Sequence, residues 1–410
     1  MGTHTFPLPS QTFDQDSTDQ TNNFSSDSSM SSSISSQPSL PSVPSLNKLS
    51  QEIFTIHHHC ISTLKGHSSN VFSLALSGKH LYSGSSNSEL RVWSQTPSDH
   101  HNSTDNIVSS CKSAVKCIVI LGDKLFSAHQ DHKIRVWKIE HNTPSQNYKC
   151  VSTLPTLSDR VTRLIFSGKN SVETGKHKKS TWVHHDTVSA LALSIDGSFL
   201  YSASWDRTFK IWRTSDYKCL ESVFNAHDDA INAIVSSSDG YIYTGSGDRK
   251  IKVWGKNGDN KHSIVDTLME HKSAINALAL GSDGDILYSG ACDRSIIVWE
   301  KTDGGGHMAV TGALRGHTKP ILCLAVVSEL LCSGSADKTV RIWTRKTDRS
   351  YSCLAVLEGH TGPVKCLTAA IDYSSAADSN ISPAAGAPYL IYSGSLDCDV
   401  KVWQIWVPFV

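Results

Sequence analysis

The sequence predicts an all-β fold: a seven-bladed β-propeller closed by an N-terminal strand and preceded by a disordered Ser-rich N-terminal tail. Three observations predict it. A block that ends in tryptophan occurs seven times, four of the six intervals between these tryptophans are 42–45 residues, and short apolar runs of alternating pattern precede the blocks. A repeat of that length is typical of a four-stranded propeller blade, and alternation with period two is typical of strands.

The first predicted element is the tail, residues 1–52. Fifteen of the first 50 residues are serine and five are proline, and Lys48 is the only lysine or arginine among them. A segment with so few apolar side chains cannot bury enough surface to order itself. The composition is compatible with a plain solvated tail and with a phosphorylated regulatory tail.

The propeller is predicted to span residues 53–410. Within each block a Ser or Thr is followed by Asp four residues later and by Trp six residues after that, with exceptions named below. The two long intervals predict insertions at 158–181 and 372–389. The tryptophans are Trp93, Trp137, Trp212, Trp254, Trp299, Trp343 and Trp403.

A histidine, often as Gly-His, precedes most blocks and is followed four residues later by an apolar residue that begins a short strand pattern. The segment HHCISTL (58–64) lies before the first Gly-His and has no earlier blade of its own. We therefore expect it to pair as the outer strand of the last blade, which would remove an open sheet edge.

These residues resemble the WD-repeat β-propellers over residues 54–410. Within them, the insertion after STLPTL (152–157) and the WVHHDTVSALAL block (182–193) are similar to plant JINGUBANG-type WD-repeat proteins. The resemblance implies a buried hydrogen-bonded tetrad in each blade. Its members would be His67, Ser83, Asn87, Trp93; Ser127, Asp131, Trp137; His184, Ser202, Asp206, Trp212; His227, Thr244, Asp248, Trp254; His271, Ser289, Asp293, Trp299; His317, Ser333, Asp337, Trp343; and His360, Ser393, Asp397, Trp403.

Three departures from the family pattern stand out. Asn87 replaces the first Asp, the second block has Cys111 where the others have histidine, and the Trp-Asp dipeptide that names the family is absent from every copy. The tetrad interpretation itself is physically reasonable, because a buried carboxylate or imidazole costs several kcal/mol unless a partner satisfies it.

The motifs that could indicate chemistry are better explained by structure. Ser, His and Asp recur in every well-formed blade, whereas a hydrolase needs one accessible nucleophile. The stretch 167–181 has the wrong spacing for a phosphate loop, and the run His57–His59 lacks further ligands at metal-binding spacing. We therefore expect no enzyme activity, no cofactor and no metal.

Composition limits the partners. Lys plus Arg is 38 and Asp plus Glu is 38, which argues against direct nucleic-acid binding through the overall field. No apolar run is long enough to span a membrane, and no secretory signal is present. We expect a monomeric propeller in the cytoplasm and/or nucleus, with 11 cysteines reduced and mostly in the core. The locally basic 158–181 insertion fits a solvated loop, a contact for an acidic partner or an import patch.

Function is therefore expected on a surface. Members of the resembled family bind partners across the top face, which predicts a regulatory adaptor that binds proteins or peptides, including acidic-hydrophobic segments. The alternative is a substrate receptor of a cullin-type ubiquitin ligase, although Arg213 follows Trp212 without the Asp typical of that class. The predicted top-face residues are Phe72, Lys116, Gln130, Trp205, Asn232, Asn276, Leu322, Lys365 and Leu396.

Overall fold

A computed structural model of the 410-residue chain describes residues 43–47, 56–94, 107–140, 147–156, 182–259, 261–302, 306–372 and 387–407. The described secondary structure consists of β-strands that form seven four-stranded antiparallel sheets. Each sheet packs its innermost strand against the innermost strand of the next sheet, and the seventh packs against the first. This arrangement is a seven-bladed propeller and confirms the predicted fold class.

The strands follow the chain in blade order. They are β1 (His58–Leu64); in blade one β2 (Val71–Ser77), β3 (His80–Ser85), β4 (Glu89–Ser94) and β5 (Ile107–Ser110); in blade two β6 (Val115–Leu121), β7 (Lys124–His129), β8 (Ile134–Glu140) and β9 (Asn147–Leu154); in blade three β10 (Val188–Leu193), β11 (Phe199–Ser204), β12 (Phe209–Arg213) and β13 (Cys219–Val223); in blade four β14 (Ile231–Ser236), β15 (Ile242–Ser246), β16 (Ile251–Lys256) and β17 (His262–Leu268); in blade five β18 (Ile275–Leu280), β19 (Ile286–Ala291), β20 (Ser295–Lys301) and β21 (Met308–Arg315); in blade six β22 (Ile321–Val327), β23 (Leu330–Ser335), β24 (Val340–Arg345) and β25 (Tyr351–Leu357); and in blade seven β26 (Val364–Ile371), β27 (Ala387–Ser395) and β28 (Val400–Val407).

The N-terminal strand β1 closes the ring. It pairs antiparallel with β28, from His58 opposite Ile405 to Leu64 opposite Val400, and completes the fourth position of blade seven. The expectation that residues 58–64 provide this outer strand is therefore confirmed. Closure leaves blade seven with the same four-strand width as the other blades, so no blade presents an unmatched third strand.

The turn between the second and third strands of each blade has one fixed backbone feature. The residue immediately after the tetrad Asp, or after Asn87, has a positive φ of 67–74°. These residues are Ser88, His132, Arg207, Arg249, Arg294, Lys338 and Cys398. Since side chains other than Gly and Asn rarely adopt this conformation, the hydrogen bonds of the turn must hold it in place.

Apolar clusters between neighbouring blades form the core, and a small residue on the second strand sets how closely the blades approach. A Cβ on Gly84 would lie 2.5 Å from Val115 Cγ1 of blade two, and one on Gly394 would lie 2.8 Å from Val71 Cγ1 of blade one. The glycine of the recurring Tyr-Ser-Gly-Ser block therefore makes room for the first residue of the next inner strand.

The structure corrects three boundaries or assignments. Residues 43–47 fall in the predicted disordered tail, yet Val43 is buried and the segment pairs with two blades, so that expectation is wrong for these five residues. Part of the 372–389 insertion, from Ala387 onwards, belongs to β27. Three of the 11 free cysteines are exposed rather than in the core, namely Cys60, Cys150 and Cys353.

The 158–181 insertion lies outside the described residues, as do most of the tail and residues 373–386. Among the residues that the structure describes, none belongs to a helix able to cross a membrane.

Candidate functional site: the top face and its tetrads

Beneath the top face, five blades each contain a linked set of four side chains. The Trp Nε1–H donates to a Ser or Thr hydroxyl at 2.8–2.9 Å, and this hydroxyl lies 2.8 Å from His Nε2. The His Nδ1 then lies 2.8–3.3 Å from an Asp carboxylate. The five sets are those of Trp212, Trp254, Trp299, Trp343 and Trp403, with the members given above.

The Asp of each set also fastens the loop that enters the blade to the turn between strands two and three. In blade six the Asp337 carboxylate accepts hydrogen bonds from His317 Nδ1 at 2.8 Å and from the backbone N–H groups of Thr318 and Thr339, both at 3.0 Å. Burial alone would raise the pKa of Asp337, but these donors, His317 foremost, hold it well below its ordinary value. The carboxylate is therefore ionised.

Burial lowers the pKa of three of these histidines, His184, His317 and His360, which favours the neutral ring. Burial lowers the pKa of His184 to about 4, and the hydrogen bond to Asp206 offsets this only in part. A neutral ring can donate one N–H to Asp and accept one O–H from Ser at the same time. Each set is thus a row of hydrogen bonds that leads from Trp through Ser or Thr and His to Asp. These bonds pair the buried polar side-chain atoms of the set.

Blade one departs from the predicted set. His67 Nε2 lies 2.7 Å from Ser83 Oγ, and Trp93 donates to the same hydroxyl, but Asn87 does not contact His67. The Asn87 side chain bonds Ser85 and Ser68 instead. Glu89, two residues further on, places a carboxylate oxygen 3.4 Å from His67 Nδ1. Glu89 thus brings a carboxylate near His67, but His67 Nδ1 makes no hydrogen bond among the described residues, unlike Nδ1 in the five complete sets.

Blade two has a histidine after all. His129 Nε2 lies 2.8 Å from Ser127 Oγ and its Nδ1 lies 3.1 Å from the Ser113 carbonyl, while Trp137 donates to Ser127 as in the other blades. Asp131 pairs with Arg135 at the surface rather than with a tetrad histidine. The interpretation that this blade lacks the imidazole is wrong, because His129 supplies it from strand β7 and not from the entry loop.

The sequence contained the signal for this substitution. His129 stands where five other blades have the final serine of a Ser-Gly-Ser, Ser-Ala-Ser or Thr-Gly-Ser block. In a strand, residues i and i+2 face the same side, so a histidine at this position is next to Ser127. Burial lowers the pKa of His129 to about 4, and the Arg135 charge acts in the same direction.

At the centre of the top face, the inner strands surround a cavity of about 420 Å³. Seven of the predicted top-face residues line it, whereas Gln130 and Leu396 do not. The seven are Phe72, Lys116, Trp205, Asn232, Asn276, Leu322 and Lys365. Six of these are the second residue of an inner strand, the position directly at the mouth of the channel, and Trp205 reaches the mouth from the turn of blade three.

One side of this mouth is aromatic and basic. The Lys116 ammonium lies 4.2 Å from the Phe72 ring centroid and 5.4 Å from the Trp205 ring centroid. Burial lowers the pKa of Lys116, and the charge of Lys365 lowers it further. Trp205 remains 40% exposed. We call Phe72, Lys116, Trp205 and Lys365 the mouth cluster.

The opposite side of the mouth joins neighbouring blades. Asn232 Nδ2 donates to the Ile275 carbonyl of blade five at 2.9 Å, and Asn276 Nδ2 donates to the Ile321 carbonyl of blade six at 2.8 Å. These amides are occupied by inter-blade hydrogen bonds, so they are less available to a partner than the mouth cluster.

The structure shows no metal-binding arrangement in the part of the chain that it describes: no group of three or more His, Cys, Asp or Glu side chains there could hold an ion. His57, His58 and His59 are exposed there. The repeated Ser-His-Asp sets are buried beside tryptophan, and none of their members is among the residues that line the cavity.

Comparison with known proteins gives matches along most of the propeller. The family described as "WD domain, G-beta repeat" matches residues 58–94, 176–213, 218–255, 262–300, 308–344 and 351–404, more than half of the chain; the range of blade two is not among the matches. The chain is also 44% identical over 57 residues to Pre-mRNA-processing factor 19 of Oryza sativa, covering 13% of this chain and 11% of that protein.

Two other curated relatives match short stretches. WD repeat-containing protein pop2 of Schizosaccharomyces pombe is 30% identical over 103 residues, 24% of this chain and 14% of that protein. Probable cytosolic iron-sulfur protein assembly protein 1 of Chaetomium globosum is 54% identical over 37 residues, 9% of this chain and 8% of that protein. The matched segments cover less than a sixth of each of these relatives.

Proposed function

The chain belongs to the WD40 family, whose members commonly act as protein-binding scaffolds without catalysis, and from this premise we propose that it is a regulatory adaptor that binds a partner protein through the mouth cluster. The partner segment is an acidic-hydrophobic peptide. The observation that carries this proposal is the Lys116 ammonium held between Phe72 and Trp205 at the entrance of a cavity of about 420 Å³.

The preference for acidic side chains follows from the charges at the mouth. Lys116 and Lys365 repel one another, and no carboxylate of the described residues contributes to the pKa of Lys116. A carboxylate brought in by a partner would relieve this repulsion and gain a charge-assisted hydrogen bond. Because Lys116 is already partly desolvated, the added pair loses less hydration than a pair on an open surface would.

The preference for an apolar side chain beside the acid follows from Trp205 and Phe72. Exposed tryptophan is enriched among the residues that dominate binding energy at interfaces. Trp205 extends from a turn whose backbone is fixed by a hydrogen bond from Trp205 N to the Thr187 carbonyl at 3.0 Å. A turn backbone fixed in this way loses little conformational freedom when a partner binds.

The finer features of the proposal rest on likeness alone. We propose a role in signalling regulation of the plant JINGUBANG type, with a location in the cytoplasm and/or nucleus. The relatives named for pre-mRNA processing and for cytosolic iron-sulfur protein assembly are loosely consistent with that location. We also propose that the propeller is a monomer and that it does not bind nucleic acid directly.

The experiment is quantitative affinity purification from cells with three full-length chains: the unchanged protein, Trp205→Ala and Ile195→Ala. Ile195 is the matched control, since it is an apolar residue 80% exposed in the turn that leaves β10, on the opposite face of the same blade. We expect Trp205→Ala to lower the recovered amount of each specific partner by roughly tenfold or more, in line with loss of a binding hot spot. We expect Ile195→Ala to leave that amount unchanged.

A charge-reversal variant distinguishes the acidic preference from general stickiness. Lys365→Glu should remove the same partners as Trp205→Ala. If Trp205→Ala and Lys365→Glu retain every partner while Ile195→Ala loses them, the binding surface lies on the opposite face and the proposal is wrong.

A further inference from the structure

A short segment of the N-terminal tail is bound on the outer rim of the propeller. Residues 43–47, Val-Pro-Ser-Leu-Asn, run parallel to strand β21 of blade five and reach the start of β25 in blade six, with Ser45 opposite Ala313 and Asn47 opposite Tyr351. Outer strands of propeller blades carry unpaired backbone groups, which is the usual requirement for strand addition by a peptide.

Backbone hydrogen bonds hold the segment in register. Leu46 N donates to the Ala313 carbonyl at 3.0 Å, Ala313 N donates to the Pro44 carbonyl at 2.9 Å, and Tyr351 N donates to the Leu46 carbonyl at 3.1 Å. Pro44 has no N–H, but this register requires only its carbonyl, so proline costs no hydrogen bond here. One five-residue segment thus pairs with two blades.

Two apolar side chains occupy separate pockets on either side of blade five. Val43 is 3% exposed and belongs to the apolar cluster between blades four and five. Leu46 packs against the cluster between blades five and six and over Gly312, where a Cβ would lie 2.5 Å from Leu46 Cγ. The glycine in β21 therefore leaves the space that the leucine fills.

The last residue of the segment is recognised through its side-chain amide. Arg315 N donates to Asn47 Oδ1 at 3.1 Å, and Asn47 Nδ2 donates to the Arg315 carbonyl. The Arg315 guanidinium also donates to the Val43 carbonyl at 2.8 Å. One side-chain amide satisfies both backbone groups of Arg315, which requires a donor and an acceptor together and which an ionised carboxylate cannot supply. Ser45, by contrast, is exposed.

We propose that this rim site, formed by Gly312, Ala313, Arg315 and Tyr351, is a peptide-binding site for the extended motif Val-Pro-x-Leu-Asn, and that residues 43–47 of the same chain are its resident ligand. Only eight residues connect Asn47 to Ile56. Such a short tether gives the resident segment an effective concentration of order mM, so a free peptide of the same sequence binds when the resident segment is disabled.

The test uses the full chain and a fluorescent peptide of residues 41–49. In the variant Val43→Asp with Leu46→Asp, the resident segment is expelled, and we expect this open variant to bind the peptide at least tenfold more tightly than the unchanged protein does. A peptide with Asn47→Ala should bind the open variant about tenfold more weakly. Adding Gly312→Ala to the open variant should abolish binding, since the methyl group fills the leucine pocket. Thermal melting checks that each variant is folded.

Equal binding by the open variant with and without Gly312→Ala would overturn the proposal, and so would absence of binding to a folded open variant. If the open variant does not fold, hydrogen exchange decides instead. The amides of Leu46, Ala313 and Tyr351 should be protected in the unchanged protein and lose protection in the single Gly312→Ala variant. Unprotected amides in the unchanged protein would contradict the site directly.

Discussion

The sharpest stability prediction compares the same residue type at the same turn position in two blades. Asp337 of blade six, with its side chain 8% exposed, satisfies the buried His317 and two backbone N–H groups. Asp131 of blade two is 28% exposed and pairs with Arg135 alone among the described side chains. The sequence pattern treats the two as equivalent, whereas the structure gives them different partners.

Replacing Asp337 by Ala leaves the buried His317 Nδ1 with only the Thr339 hydroxyl at 3.3 Å. The loss of the shorter bond costs about 1–3 kcal/mol, and the hydrogen bonds lost by the N–H groups of Thr318 and Thr339 add to this. We therefore expect Asp337→Ala to destabilise the protein by about 2–4 kcal/mol through these lost hydrogen bonds. Asp131→Ala removes a surface pair and should cost less than about 1 kcal/mol.

The assay is urea denaturation followed by tryptophan fluorescence, with the two variants and the unchanged chain compared at their transition midpoints. Asp337→Ala should shift the first transition to clearly lower urea, and Asp131→Ala should leave it nearly unchanged. Equal shifts in the two variants would refute the reasoning that His129, rather than an Asp-bound histidine, completes the set in blade two.

The remaining predictions concern pH, blade spacing and closure. The pKa of His129 is lowered from 6.5 to about 4. Between pH 6.5 and pH 4 the unfolded chain therefore binds a proton that the folded chain does not. The free energy of unfolding falls on acidification over this range, by on the order of 3 kcal/mol for this residue. His129→Gln should therefore show a shallower decline in melting temperature from pH 7 to pH 4. Gly84→Ala should destabilise by about 1–3 kcal/mol in chemical denaturation, because its Cβ would meet Val115 at 2.5 Å. Deletion of residues 1–66 should lower the melting temperature far more than deletion of 1–42, since only the former removes β1; equal melts would contradict ring closure by that strand.

Much of the fold was predictable because the same sequence block occurs seven times. The length of the repeat predicts a blade, and the unpaired HHCISTL segment predicts closure, since a sheet edge without a partner is a liability in any ring. Strand pairing in the structure follows the blocks closely. In six blades the register shift between the third and fourth strands lies at the tetrad tryptophan, and in blade one it lies between Leu90 and Arg91.

The departures arise where one residue type replaces another at a shifted position. Glu89, two residues beyond Asn87, places a carboxylate oxygen 3.4 Å from His67 Nδ1 without a hydrogen bond. His129 lies on the same strand as Ser127, and its Nε2 contacts the Ser127 hydroxyl. Pattern matching at fixed spacing misses both, whereas period-two geometry in strands identifies the second.

The rim segment could not be predicted from composition. Val43 and Leu46 are two apolar residues in a serine- and proline-rich stretch, too few to indicate order by themselves. Their burial depends on pockets beside blade five, which form only when distant parts of the chain come together. Much of the lining of the top-face cavity, by contrast, was predictable, because seven of the nine predicted top-face residues are among its 16 lining residues. The position of the Lys116 ammonium beside Phe72 and Trp205 required the structure.

The most direct measurement of the central claim is site-specific photo-crosslinking in cells with a photoreactive amino acid at position 205 or at position 195. Position 205 is at the mouth cluster, and position 195 is more exposed, at 80%, on the opposite face of the same blade. If the mouth cluster binds the partner, position 205 captures a discrete protein, position 195 does not, and Lys365→Glu abolishes the capture. Capture from position 195 with none from position 205 would contradict the account.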